Sequence, residues 1–205
     1  MNEIWPVVHS QREALFRDLE ALPISKWRTP SLCPGWDVQD VLAHLVDDAK
    51  TTRLGFISDL VTARFDFDRC NALGVIRERT DDPKSTLAEF RAVSDRTSSA
   101  PAPLATRLVE IFVHAEDIRR PLGIEHDYPA GHVAAALHYQ VNTKVNLGGG
   151  RERVRGLHLV ATDANAHFGR GSEVRGTAIA LLLAASGRPV SPHELTGPGA
   201  PALLF

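Results

Sequence analysis

The chain has 205 residues, of which 43% are hydrophobic and 23% charged, so it is long enough for a buried core and too apolar for wholesale disorder. The net charge is −2 and the basic residues are scattered, so the sequence does not indicate a basic surface that would bind nucleic acid or an anionic membrane. No run approaches the ~18 apolar residues that a membrane span needs, and the N-terminal sequence lacks the features of a signal peptide. We therefore expect a cytoplasmic protein with no nucleic-acid or membrane partner.

The first part of the chain reads as a series of amphipathic helices separated by proline and glycine. Apolar residues recur at helical spacing from Asn2 to Leu22, and a loop with several prolines follows. The next helix is predicted to begin at Asp37, which forms an acidic variant of the capping box with Asp40, and to continue to about Ala63. Three further helices are predicted at residues 68–79, 82–93 and 104–122.

The last part of the chain has a different pattern. A helix predicted over residues 130–145 ends in a glycine run, after which apolar residues alternate from Leu157 to Ala161, as in a half-buried strand. More extended chain is predicted around a Gly-Arg-Gly turn, and an apolar helix follows; these segments are residues 165–168, 172–174 and 177–186.

These elements predict a mainly α protein with two parts. Residues 1–148 form a helical bundle, and residues 149–205 form a small α/β C-terminal domain. The chain has two cysteines, Cys33 and Cys70, which provide no disulfide framework and no Cys-x-x-Cys motif. Neither has a neighbouring ligand; we interpret Cys33 as a structural thiol, and a reactive role is the alternative.

One helix carries a pair of candidate metal ligands. Glu110 and His114 are four residues apart, so their side chains share a helix face about 6 Å apart at Cβ. His44 lies on the helix that follows Asp37. Two histidines and one carboxylate with an open coordination position are typical of catalytic zinc, nickel, iron or manganese sites. Asp48 and Asp117 are the nearby carboxylates predicted to orient the imidazoles.

Spacing alone leaves a second interpretation open. A Glu–His pair four residues apart is common on ordinary solvated helix faces, and no spacing rule brings His44 opposite Glu110 and His114. The other histidines lack partners at ligand spacing. The sequence contains no nucleophile elbow, no phosphate-binding glycine loop and no His-Glu-x-x-His zinc motif.

Two longer motifs extend this pattern. Residues 32–45 read LCPGWDVQDVLAHL, and residues 109–123 read VEIFVHAEDIRRPLG. They resemble the two signatures of the mycothiol-dependent maleylpyruvate isomerase family, within the DinB-like superfamily, which run C-P-G-W-[ST]-V-x-D-V-[VL]-A-H-L and E-x-x-x-H-x-x-D-[IL]-R-x-x-x-G. The resemblance extends over most of the chain.

The resemblance implies a DinB-like four-helix bundle in which His44, Glu110 and His114 hold a divalent metal, which is zinc in the isomerase. It also implies mycothiol, a low-molecular-weight thiol, as cosubstrate and a small electrophile as substrate. The C-terminal segment is similar to the family's small second domain, where an arginine contributes to catalysis. Arg188 is the nearest match to that arginine and Arg175 is the second.

We therefore expect a metal-binding, thiol-dependent isomerase or thiol S-transferase that acts on a small electrophile. The alternative is a non-catalytic DinB-like protein with a binding or stress-response role, since the two signatures specify a site but no reaction. The sequence does not distinguish a monomer from a homodimer.

Overall fold

The computed structural model describes residues 4–204, and its contacts divide the chain into two compact units, Met1–His126 and Asp127–Phe205. Asn2, where the first helix is predicted to begin, lies outside the described residues. The first unit contains α1 (Ile4–Glu20), α2 (Val38–Lys50), α3 (Arg53–Thr62), α4 (Phe67–Glu78), α5 (Pro83–Ala92) and α6 (Ala105–Leu122). The second contains α7 (Ala130–Asn142), β1 (Leu157–Ala161), β2 (His167–Gly169), β3 (Ser172–Gly176) and α8 (Ala178–Ala185).

Four helices of the first unit form a closed bundle. Both α1 and α2 pack on α5 and α6. Each helix contributes fully buried side chains to the core, among them Leu15, Leu42, Phe90 and Phe112. Burial of each such side chain stabilises the fold by roughly 1.5–3 kcal/mol, so the core holds α2 against α6. The predicted mainly α fold with a four-helix bundle is confirmed.

The start of α2 follows the predicted capping pattern. The Asp37 carboxylate accepts a hydrogen bond from the Asp40 amide at 2.9 Å, and the Asp40 carboxylate accepts one from the Asp37 amide at 3.0 Å. Arg79, which follows α4, donates to both carboxylates. The cap therefore fixes where α2 begins and ties that point to α4.

The end of α2 differs from the prediction of one continuous helix to about Ala63. The chain leaves the helix at Thr51 and Thr52, which have extended backbone conformations, and α3 begins afterwards. The Thr51 hydroxyl donates to the Asp47 carbonyl, and the Thr52 hydroxyl accepts from the Gly55 amide. These local side-chain bonds compete with the helical pattern, which periodicity alone does not reveal.

The second unit contains a three-stranded sheet with β1 at its centre. β1 pairs antiparallel with β2 and parallel with β3, so the two extended segments predicted around the Gly-Arg-Gly turn lie on opposite edges of β1. A Cβ on Gly171 would lie 1.9 Å from the Gly156 carbonyl oxygen, and Gly171 has a φ of +134°. Glycine is needed there because the chain crosses the end of the sheet in close contact with its own backbone.

α7 belongs to the second unit by its contacts. Val133 and Leu137 of α7 are buried, and α7 packs on the apolar helix α8. The contact division at residues 126 and 127 thus differs by one helix from the sequence-based boundary at residues 148 and 149. Among the helices of residues 4–204, none is long and apolar enough to cross a bilayer.

Candidate metal centre

Packing of α2 on α6 brings the three predicted metal ligands together. His44 Nε2 lies 3.3 Å from Glu110 Oε2, and His114 Nε2 lies 3.2 Å from the same oxygen. One nitrogen or oxygen atom from each residue lies within 4.8 Å of the other two. Within residues 4–204, no other group of three His, Cys, Asp or Glu side chains has this geometry.

These separations fit a shared cation. Ligand atoms about 2.0–2.1 Å from a tetrahedral ion are about 3.3 Å from one another, which is close to the separations between the Glu110 oxygen and the two histidine nitrogens. The imidazole rings of His44 and His114 meet at 78° with centroids 4.7 Å apart, an edge-to-face arrangement. Two nitrogens and one oxygen suit several divalent transition metals, so the donor set fits a metal without selecting zinc.

The electrostatics of the cluster also favour positive charge. Burial opposes the charged form of His114, but hydrogen bonds to Asp117 and Glu110 outweigh it and raise the pKa of His114 to about 9. Burial likewise opposes ionisation of Glu110, but hydrogen bonds from His114 and His44 hold its pKa well below the usual range. A carboxylate pair that stabilises an imidazolium in the metal-free protein would also stabilise a divalent cation.

Asp117, one of the two carboxylates expected near the histidines, lies against His114. Its fully buried carboxylate accepts a hydrogen bond from His114 Nδ1 at 2.9 Å, which leaves Nε2 directed at Glu110. The Asp117 main-chain carbonyl accepts a second bond from the Leu32 amide at 3.1 Å. That carbonyl has no helical partner because Pro121, four residues later in α6, has no N–H.

Asp48, the other carboxylate predicted to support the histidines, lies in a different cluster. Arg107 donates to its Oδ1, and Arg12 lies 3.8 Å from its Oδ2. Arg12 also donates to the Arg96 carbonyl at 3.0 Å. All three charged side chains are largely buried. Asp48 therefore joins α1, α2 and α6 one helical turn away from His44.

The segment before α2 supplies a contact that spacing does not predict. The rings of Trp36 and His44 pack with centroids 5.3 Å apart. The amide and hydroxyl of Ser31 donate to the Trp36 carbonyl at 3.0 and 2.8 Å, which closes the loop behind this tryptophan. His44 Nδ1 is buried and has no hydrogen-bond partner among the described residues. The ring of His44 is therefore oriented by its packing against Trp36 and by the contact of its Nε2 with Glu110, and Nδ1 contributes no hydrogen bond to the described part of the chain.

The two candidate catalytic arginines both lie in the second unit. Arg175 is on β3, where its backbone pairs with Thr196 and its exposed guanidinium lies 3.6 Å from Glu173. Arg188 follows α8, and its guanidinium donates to the Ser186 carbonyl at 3.4 Å. Their catalytic role stays a prediction.

The four-helix bundle, the three converging side chains and the small α/β unit define a class of protein, a mainly α protein with a candidate metal centre in a helical bundle. Residues 8–105 match the family model described as the mycothiol maleylpyruvate isomerase N-terminal domain. That part of the chain, which includes His44 and ends before Glu110, is similar to this family's N-terminal domain, and the predicted resemblance is confirmed.

Comparison with solved structures extends the likeness in fold to nearly the whole chain. Two structures of mycothiol-dependent maleylpyruvate isomerase, one of them a variant with a histidine replaced by alanine, share its fold with a TM-score of 0.63. Each alignment covers 97% of this chain and 92% of the other at 16% identity. No curated protein sequence matches this chain significantly.

Proposed function

We propose that this protein is a metal-dependent enzyme that uses mycothiol and acts on a small electrophile. It either isomerises the electrophile or transfers the thiol to it. The observation that carries the proposal is the convergence of His44, Glu110 and His114 in the first unit, of which residues 8–105 match the isomerase family model. The donor set and the attraction of the cluster for positive charge support a resident divalent cation, for which we propose zinc. We also propose a cytoplasmic location.

In this proposal His44 and His114 hold the ion through Nε2, and Glu110 holds it through a carboxylate oxygen. Three protein ligands leave an open position of the kind that catalytic sites keep. A bound divalent cation lowers the pKa of a coordinated thiol and so favours the nucleophilic thiolate. Asp117 keeps His114 in the tautomer with Nδ1 protonated, and Trp36 packs against the ring of His44.

The proposed isomerisation consumes no redox equivalents. The thiolate adds to an activated carbon–carbon double bond, the remaining single bond rotates, and elimination releases the trans isomer and the thiolate. In the transferase variant the thiolate displaces a leaving group and stays in the product. Arg188 or Arg175 is proposed to pair with a substrate carboxylate, since arginine binds carboxylates in a bidentate manner.

Elemental analysis of the purified full-length protein tests the metal centre. We expect a stoichiometric divalent metal in the wild type and its loss in His44→Ala and Glu110→Ala. His9→Ala is the matched control, because His9 lies on α1 outside the cluster and should leave the metal content unchanged. Full metal content in both ligand variants would show that the ion binds elsewhere.

Turnover assays separate an enzyme from the alternative of a non-catalytic protein with a binding or stress-response role. The assays would use mycothiol with a panel of maleyl and epoxide substrates. Thiol-dependent turnover that disappears when a chelator removes the metal supports the enzyme. Metal binding without turnover on any substrate of the panel supports the alternative.

A further inference from the structure

The hairpin formed by α3 and α4 presents an apolar surface outside the bundle. α4 packs on α2 through Gly74 and Val75, whereas α3 has no buried residue of its own. We use the name hairpin patch for its exposed large apolar side chains, Leu54, Ile57, Val61, Phe65, Phe67, Leu73 and Ile76. Leu54 is 81% exposed, Ile76 73% and Phe65 72%.

α3 has little tertiary packing for a helix of its length: it contacts α4, where the ring centroids of Phe56 and Phe67 lie 6.3 Å apart, but none of its residues is buried. It has ten residues, and isolated helices shorter than about 12–15 residues are marginal in water. Leu54, Ile57 and Val61 are spaced by three and four residues, so they form one stripe along α3. An apolar stripe of this kind normally faces a packing partner, and here its side chains are exposed.

The turn between the helices holds Phe65 out from the protein. Arg64 and Phe65 have φ values of +59° and +63°, a left-handed conformation that is unfavourable for residues other than glycine. The Phe65 amide donates to the Leu60 carbonyl at 2.8 Å, which closes α3 in this geometry. Two consecutive residues thus adopt an unfavourable backbone conformation, and the turn exposes a phenylalanine. Backbone strain of this kind concentrates at functional positions, which favours a binding role for this surface.

The size of the patch favours a protein partner. Side chains of this type bury on the order of 100 Å² each, so the seven together offer on the order of 700 Å². The largest apolar patch on a typical monomer is about 300–600 Å². A standard protein–protein interface buries about 800 Å² on each partner. The hairpin patch is thus large for a monomer and close to one side of a stable interface.

The charges around the patch favour a second copy of this chain. Residues 53–78 contain four arginines and four acidic residues, so the hairpin has no net charge. An anionic membrane or a nucleic acid would call for a basic excess. Interspersed charges of both signs instead allow a surface to complement itself when a two-fold axis pairs it with its own copy.

We propose that the hairpin patch is the contact surface of a homodimer, in which two copies pair their α3–α4 hairpins about a two-fold axis. Each copy covers the apolar stripe of α3 and the side chains of Phe65 and Ile76 on the other. This interface would bury the side chains of α3 that its contact with α4 leaves exposed. The proposal does not depend on the metal centre or on catalysis.

Analytical ultracentrifugation of the full-length protein over a range of concentrations tests the proposal. We expect a dimer at micromolar concentration, and at least a tenfold higher dissociation constant in Leu54→Asp and in Ile76→Asp. Leu147→Asp is the matched control, because it places the same charge on an exposed leucine of the second unit and should leave the dimer intact. Circular dichroism of each variant verifies that the helices are retained.

A second measurement depends on the same contact. Because a dimer couples association to folding, the melting temperature of the wild type should rise with protein concentration, and that of the double variant Leu54→Asp/Ile76→Asp should not. A wild type that stays monomeric at 100 µM would overturn the proposal. A dimer that survives in the double variant, or a monomer that binds phosphatidylserine vesicles through the patch, would overturn it as well.

Discussion

At the scale of single residues, the charge balance inside the bundle depends on Asp48. Burial lowers the pKa of Arg12, an effect that Asp48 opposes and Arg107 reinforces. In Asp48→Asn two buried guanidinium groups would lose the carboxylate between them. We predict a loss of about 3 kcal/mol in the free energy of unfolding, because removing one partner from a buried ion pair leaves uncompensated charge. Urea denaturation measures this change.

Asp95→Asn is the control for that measurement. Asp95 is exposed in the turn after α5, where a change from carboxylate to amide should alter stability by no more than about 0.5 kcal/mol. Equal losses in both variants would mean that the buried arginines are not the reason for the sensitivity of Asp48.

At the scale of elements, the start of α2 links helix capping to pH. Burial favours the neutral form of Asp37, but hydrogen bonds from Arg79 and from the Asp40 amide outweigh it and lower the pKa of Asp37 below its usual range. The folded pKa is thus below the unfolded value. Ionised Asp37 stabilises the fold above the unfolded pKa, and this stabilisation is lost as the pH falls through the folded pKa.

Asp37→Asn tests this element, since asparagine keeps a capping oxygen but removes the charge that faces Arg79. We predict a loss of about 1 kcal/mol at pH 7, and a difference from the wild type that narrows between about pH 5 and pH 2. Urea unfolding at a series of pH values measures it. Asp82→Asn at the cap of α5 is the comparison, because the Asp82 carboxylate accepts hydrogen bonds from the Lys84 amide and the Ser85 hydroxyl rather than from an arginine. A constant difference across the pH range in Asp37→Asn would contradict the prediction.

At the scale of the whole molecule, a metal held by His44 of α2 and by Glu110 and His114 of α6 would link ion binding to the stability of the bundle. An ion that binds the folded chain alone adds about 4 kcal/mol when its concentration is 1,000 times Kd. We predict that a chelator lowers the melting temperature of the wild type and that added zinc restores it. Calorimetry measures both steps. His44→Ala should respond far less, and an equal response would place the stabilising ion elsewhere.

Local patterns predict most of the fold because they act between neighbours in the chain. The caps at Asp37 and Asp82 and the end of α6 at Gly123 are examples, since each depends on residues within one turn. The break at Thr51 and the order of strands around β1 were not predicted. The break at Thr51 results from competing side-chain hydrogen bonds, and the strand order results from long-range pairing. Hydrophobic periodicity predicts neither of them.

The candidate metal centre, like the fold, was predictable only in part from the sequence. Helical spacing alone places Glu110 beside His114, but the position of His44 opposite them depends on the packing of α2 on α6. The family resemblance indicated that convergence, and spacing did not. The partners of Asp48 come from two other helices, and no single-helix pattern identifies such pairs.

Pro121 has a consequence that reaches beyond its own helix. Replacement by alanine would give α6 an amide able to reclaim the Asp117 carbonyl, in competition with Leu32. The helix would gain its missing bond, and the loop that carries Trp36 would lose a tether beside the histidines. Selection for heat resistance alone would therefore discard this proline, while selection for a well-ordered site would keep it.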